Sequence, residues 1–510
     1  MLLVDFERYY RDTLVRGVVL VAQGGHMATI LVDPRRQIDA IDPNIYGNFI
    51  EHLRRCIYGG IYEEGSPLSD ERGFRRDVLA AIKSLKVPNI RWPGGNFVSA
   101  YHWMDGIGSK DERPRKMELA WNAVESNRFG TDEFIQFCRE VGTEPYICVN
   151  MGNGTMDEAQ HWVEYCNGVE DTYYANLRRK NGHNEPYRVK YWALGNEVSG
   201  HWKIGHKPAE EYAALAYEYA KVMKLVDKNI ELAACGSFEQ NASDMKWNQV
   251  VVEKLADIAD YLAIHMYVGD WYGGYYEYMA ASEHIERFIR AARGIIDVGV
   301  YYSEEGKKLK IAFDEWNVMY SHDPEHPRHE RYTLQDALAV GMFLNAFLRH
   351  ADAIKLANMA QLVNVIAPIH TNTEGLFLQT IFWPLQLHTL ENGTIALDAH
   401  WDSDCFETEQ HGNVPYLDAS ASYQPDVGRI SINLINRHRT DALPVIIENQ
   451  HGNLKSNGLL FEITGEDPIV MNDFGEESVK LVKRELDVPS NPFTVTLPPH
   501  SISMVQVYIG

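Results

Sequence analysis

The sequence predicts an α/β fold: a (β/α)8 TIM barrel followed by a C-terminal antiparallel β-sandwich of jelly-roll-like character. Three observations carry this prediction. Between residues 41 and 389, short apolar β-rich segments alternate with longer stretches whose apolar residues recur at three- and four-residue steps. Eight such strand-helix units follow one another, the number that closes a barrel. Beyond residue 390 the texture changes to short alternating segments separated by Asn, Gly and Pro turns, the pattern of a sandwich.

Taken in order, residues 1–27 open on Asp5, Glu7, Arg8 and Arg11, and the apolar run 18–22 is too short for a secretory core. Gly25-His26-Met27 reads equally as a cloning junction or as a natural irregular start, so 1–27 is set apart as a leader or appended segment. Residues 28–40 contain a lone strand, 29–33, which Pro34 follows, and it is expected to join the C-terminal sheet. The barrel, 41–389, has its strands at 45–50, 89–92, 145–150, 189–194, 232–235, 261–265, 310–313 and 353–357. Its clearest helices are 74–86, 131–141 and 208–227. The sandwich, 390–510, has strands at 429–435, 443–448, 459–464 and 501–508.

A chain of 510 residues exceeds one ordinary core and suits a barrel of about 250 residues or more plus a second domain. Its net charge of −23 disfavours phosphate backbones and anionic lipid, and no apolar run approaches the ~18 residues of a membrane span. Nucleic acid and membrane are therefore not expected partners; a neutral substrate is. The six cysteines are scattered, without the density of a disulfide scaffold or the spacing of a zinc site, which points to a reducing cytoplasm.

In such a barrel the C-terminal ends of the strands converge on one face, so polar residues just after each apolar run are the functional candidates. Strand one ends in Glu51 and His52, strand two in Arg91 to Asn96, strand three in Asn150, and strand four in Asn196 and Glu197. Strand six ends in His265 and Tyr267, strand seven in Asp314, Glu315 and Asn317, and strand eight in Asn358 and Gln361. Retaining glycoside hydrolysis needs one carboxyl to protonate the leaving oxygen and another, about 5 Å away, to attack the anomeric carbon. Glu197 and Glu315, at strands four and seven, stand across the ring from each other and supply that pair. The bland alternative is two salt-bridged strand-end glutamates. Because consecutive side chains alternate along a strand, Asn196 and Glu197 can serve together only if the strand ends or bends there.

With these residues in view, the sequence resembles glycoside hydrolase family 51. The resemblance rests on four blocks in order: Ile45-Tyr46-Gly47-Asn48-Phe49-Ile50-Glu51-His52-Leu53, then residues 91–97, 193–197 and 313–318. It implies a retaining, exo-acting α-L-arabinofuranosidase with Glu197 as acid/base and Glu315 as nucleophile. By the same resemblance Glu51, Arg91, Asn96, Asn196, Tyr267 and Gln361 bind the arabinofuranosyl ring, with no metal and no cofactor. The implied partners are arabinose-containing oligosaccharides and further copies of the chain, as a hexamer. Arg91 is better suited to bracing a carboxylate than to touching sugar, and the Tyr267 hydroxyl to orienting the nucleophile. Met319 departs from the pattern, since similar enzymes often carry Trp four residues after the nucleophile.

Other signals are weaker. His322, His326 and His329 read more simply as a solvated loop than as metal ligands, and Glu158 with His161 lacks a third zinc ligand. Trp103, Trp121, Trp202 and Trp271 are each as suited to core as to stacking on sugar. Two other functions compete: a retaining β-glycosidase acting on xylo- or gluco-configured chains, and a catalytically silent carbohydrate-binding protein.

Overall fold

A computed structural model describes residues 27–238, 241–269, 273–320 and 331–510. Eight parallel strands close into a barrel: Gly47–Phe49, Asn89–Trp92, Glu144–Val149, Tyr191–Leu194, Glu231–Cys235, Tyr261–Val268, Lys310–Val318 and Ile354–Ala360. They neighbour one another in chain order, and the last pairs with the first through Asn358 and Gly47. The helices between them bury one apolar face. In Arg76–Leu85 the buried residues are Val78, Leu79, Ile82 and Leu85, the three- and four-residue spacing that puts them on one side. Inside the barrel, alternate strand positions such as Tyr146, Cys148, Ala193, Ala233, Ala263, Ala312 and Leu356 pack together.

All eight expected strands are present, with two instructive differences in extent. Strand one is short because Asp42 caps a 3-10 turn, Pro43–Tyr46, that precedes it. Strands six and seven run on to Val268 and Val318, past the polar residues read as their ends. They do so through a β-bulge: Phe313 faces Ala357 and Trp316 faces Met359, so Asp314 and Glu315 together oppose Asn358 alone. The bulge lets two consecutive side chains face the same barrel mouth.

The β-rich part contains two large sheets and a two-stranded hairpin, Cys405–Thr408 with Gly412–Pro415. The smaller runs in the order His400–Asp402, Ala28–Val32, Leu443–Asn449, Phe493–Leu497. The larger runs Gln37–Ala40, Ile395–Leu397, Leu417–Gln424, Arg429–Asn436, Ser501–Tyr508, Asn457–Ile463, Leu481–Asp487. The expectation of an antiparallel sandwich needs one correction: Ala28–Val32 lies parallel to Leu443–Asn449. That strand arrives from before the barrel rather than through a hairpin, so nothing compels it to run antiparallel.

Helix Leu334–Arg349 joins the two parts. It is buried on every side, and a methyl group at Gly341 would come within 2.9 Å of the Ile435 side chain in the larger sheet. Arg349 closes the junction: it donates to Glu286 at 2.8 Å and to the carbonyl of Ala419 at 2.6 Å, and pairs with Asp418 at 3.3 Å. Asn345 donates to Asp418 at 2.7 Å, and Ser420 donates to Asn345 at 2.7 Å. None of the six cysteines is bonded to another, and among the described residues no helix is long and apolar enough to cross a membrane.

Candidate active site

The strand ends converge on one polar cluster. Strand four stops at Leu194, Gly195 turns the chain at φ +81°, and Glu197 itself sits at φ +45°. A non-glycine residue in the left-handed region is strained, and here the turn aims Asn196 and Glu197 at the same mouth instead of at opposite faces. Glu315 reaches that mouth from the bulge in strand seven. Tyr267 donates to Glu315 Oε1 at 2.7 Å and Arg91 Nη1 donates to Oε2 at 3.0 Å, so both oxygens are fixed by donors. Arg91 also donates through Nη2 to Asn196 Oδ1 at 2.6 Å, and its Nε lies 3.3 Å from Asp314 Oδ2. It braces carboxylates, and its packing over the Phe49 ring at 4.7 Å holds it in place.

A second group surrounds Glu51. Gln361 donates to its Oε2 at 2.9 Å, while the Phe97 N–H at 3.0 Å and the Trp121 indole at 3.2 Å donate to Oε1. Gly94 and Gly95 allow this approach, because a Cβ at either would stand 2.8 Å from the Glu51 side chain. Burial raises the Glu51 carboxyl to about 7, although its donors pull the other way. Asn96 lies beside it and accepts a hydrogen bond from Lys203. All eight site residues named from the sequence thus sit in one mouth.

Several contributors carried no assigned role in the sequence reading. His265 lies 3.0 Å from Glu197 Oε1, 3.1 Å from Asp314 Oδ1 and 3.6 Å from Glu315 Oε2. Burial by itself would lower its pKa, but Glu315, Asp314 and Glu197 outweigh burial and hold it at about 9. Lys203 stands 3.4 Å from Glu197 Oε2. Burial opposes the ionisation of Glu197, yet Lys203 and His265 prevail and keep its carboxyl below the usual range. Tyr146 donates to Asp314 at 2.7 Å from within the barrel. Trp121 is delivered by a hairpin, Lys116–Glu118 with Ala123–Glu125, which is pinned by Glu125 to His52 at 2.9 Å. His265 and Asp314 were legible as polar strand-end residues; a lysine six residues beyond Glu197 carried no signal.

An oxygen of Glu197, an oxygen of Glu315 and a ring nitrogen of His265 all lie within 4.8 Å of one another. Lys203 and Arg91 already bring positive charge against these carboxylates, which leaves the group poorly suited to a cation. Glu158 and His161 do not converge: Glu158 pairs with His102 at 3.0 Å, and His161 stacks on Tyr174 at 4.0 Å. Trp103 is core, whereas Trp202 is 52% exposed beside Phe238. Trp271, His322, His326 and His329 lie outside the described residues.

Among the candidate residues of the mouth, Asn196 Nδ2 and Gln361 Oε1 are buried without a hydrogen-bond partner in the protein. The other end of each amide is committed, Gln361 Nε2 to Glu51 and Asn196 Oδ1 to Arg91, so one donor and one acceptor stay unused beside the carboxylates. Such a set of amides and carboxylates matches the hydroxyls of a sugar ring.

Comparison with known proteins agrees. Residues 81–283 match the α-L-arabinofuranosidase 1 domain, and residues 314–501 match the α-L-arabinofuranosidase C-terminal domain. The latter match begins inside strand seven, so it includes Glu315 and the end of the barrel. α-L-Arabinofuranosidase C of Emericella nidulans is 43% identical over 94% of the chain and 97% of its own length. An intracellular exo-α-(1→5)-L-arabinofuranosidase of Halalkalibacterium halodurans is 42% identical over 82% of the chain and 86% of its own length. The crystal structure of the α-L-arabinofuranosidase from Thermotoga maritima, an arabinose complex, superposes with a TM-score of 0.88 at 43% identity, covering 94% of the chain and 100% of that protein.

Proposed function

Since the chain belongs to the α-L-arabinofuranosidases of glycoside hydrolase family 51, we propose that it releases terminal non-reducing α-L-arabinofuranosyl residues with retention, Glu315 attacking and Glu197 serving as acid/base. The observation that carries the mechanism is the carboxylate separation. One oxygen of Glu197 lies within 4.8 Å of one oxygen of Glu315, a close approach in keeping with the shorter of two characteristic spacings. Retaining enzymes place their carboxyls about 5 to 5.5 Å apart, and inverting ones about 6.5 to 9.5 Å, to admit a water.

In the first step Glu315, both oxygens held by Tyr267 and Arg91, forms a bond to the anomeric carbon while Glu197 gives a proton to the departing oxygen. In the second, Glu197 takes a proton from water as that water displaces Glu315. Glu51, Asn96, Asn196 and Gln361 serve the ring hydroxyls, with Arg91 acting chiefly through Glu315. Short arabino-oligosaccharides and fragments of arabinan or arabinoxylan are the substrates this reading favours, the α-(1→5) linkage among them, in keeping with the Halalkalibacterium relative's name. A cytoplasmic setting is the one this reading favours, in keeping with that relative's name and with six unbonded cysteines. Residues 41–389 form the catalytic unit, 390–510 with 28–40 its supporting sandwich, and the chain works as a homo-oligomer.

The two glutamates are separable by their mutants. Glu197→Ala should cost about 10²-fold or more on poor leaving groups, yet still form the glycosyl-enzyme from good ones. Azide then captures it as the arabinosyl azide of retained configuration. Glu315→Ala should give an inverted azide or none. NMR of the products decides: inversion from Glu197→Ala, or retention from Glu315→Ala, refutes the assignment.

A further inference from the structure

Lys203 takes no part in the double displacement as written, yet its placement is costly and specific. Its side chain is 2% exposed, and among the described residues its one ion pair is with Glu197, at 3.4 Å. Burying an ammonium stabilises nothing unless a partner compensates it. Two successive turns bring it there: the N–H of Gly200 bonds to the Glu197 carbonyl at 2.9 Å, and the N–H of Lys203 to the Gly200 carbonyl at 3.0 Å. The loop is then clamped. His206 Nδ1 lies 3.2 Å from the carbonyl of Val198, and Gly205, at φ +77°, packs so tightly on Gly152 that a Cβ would approach within 2.4 Å. The segment that begins at Glu197 therefore returns a fixed positive charge to Glu197's own carboxylate. The same Nζ donates to Asn96, linking the ends of strands two and four.

We propose that Lys203 is a positioning residue of the acid/base: it orients Glu197 Oε2 and stabilises the anion that Glu197 becomes on protonating the leaving oxygen. This rests on the reading of Glu197 given above. Glu197 is faced by Lys203 from its own loop and by His265 and Tyr267 from strand six, with Glu315 and Asp314 from strand seven, Arg91 from strand two and Cys235 from strand five behind them. His265 Nδ1 stands 3.0 Å from Glu197 Oε1, and the carboxylates around it hold the His265 proton up to about 9. A neighbouring ammonium favours loss of that proton. Removing the ammonium should make the pair hold it more tightly.

The test is kcat/KM against pH with an alkyl α-L-arabinofuranoside, whose poor leaving group makes acid catalysis visible. In Lys203→Gln the alkaline limb should move upward by about one pH unit or more, the usual influence of a charge within about 4 to 6 Å. Lys203→Arg should restore the native limb, and Lys203→Met, which keeps the packed stem, stands in for Gln should that variant not fold. A limb that stays in place in the neutral variants, with activity merely scaled down, overturns the proposal. The identity of the acid/base stands or falls separately, on the azide product from Glu197→Ala.

Discussion

Two places in this molecule bury charge, and they treat it differently. At the junction of barrel and sandwich, Arg349, Glu286, Asp418, Asn345 and Ser420 satisfy one another, and none of their polar atoms is orphaned. At the barrel mouth, Asn196 and Gln361 each keep a buried atom without a hydrogen-bond partner in the protein. A buried unsatisfied polar atom costs about 1 to 3 kcal/mol. The Arg349 cluster closes on itself, while its neighbours Asn433 and Arg437 each keep one unbonded atom; the mouth leaves part of its own network open, at positions where a ligand's hydroxyls can complete it.

The largest challenge to this comparison is removal of one side of the junction. A chain ending at Glu391 strips Ala28–Val32 of both its strand partners and uncovers helix Leu334–Arg349. It should aggregate, as read by size-exclusion chromatography, because a wide apolar face becomes exposed. A soluble and fully active barrel would show that the junction's closed network supports nothing the mouth requires.

A finer cut is Arg349→Met. Taking one partner from a buried network should cost about 3 to 5 kcal/mol in denaturant unfolding, while the specific activity of the folded fraction is little changed. The acid dependence should change too. Burial opposes ionisation of Glu286, but His350 and Arg349 outweigh it and hold the carboxyl at about 2, against an ordinary 4.5. A depressed carboxyl contributes stability that is full above the ordinary value and lost as pH falls through the depressed one. Between pH 4.5 and 2 the native protein should therefore lose stability more steeply than Arg349→Met. Equal slopes would remove the junction from the account of acid stability.

The smallest effect concerns the rim of the mouth. Met319 is half-buried, with its N–H bonded to the Val268 carbonyl at 2.8 Å. Met319→Trp should lower kcat/KM for branched arabinosides on the order of tenfold more than for small aryl ones, since a rigid ring narrows the leaving-group side. Equal losses on both would mark the position as packing alone.

Local pattern made much of this readable. Apolar runs, helical spacing and the order of blocks around Glu51, Arg91, Glu197 and Glu315 are properties of short stretches of chain, and they determined the eight-stranded barrel, the β-rich tail and the two glutamates. Strand seven outruns its local pattern: Asp314 and Glu315 have the character of a polar stop, whereas the strand continues through a bulge that no local pattern announces.

What the sequence determined by itself, then, was which residue types stand at the ends of which strands, because periodicity and turn chemistry act over a few residues. Only the tertiary structure decided the rest: the parallel pairing of Ala28–Val32 with a strand more than 400 residues away, the closed ion cluster around Arg349, and the charges that bear on Glu197. Lys203 is six residues from Glu197 along the chain and His265 is sixty-eight. Their influence on its proton is set by Coulomb energy across 3.4 and 3.0 Å of low-dielectric interior, a quantity that depends on distance in space and not on separation in sequence.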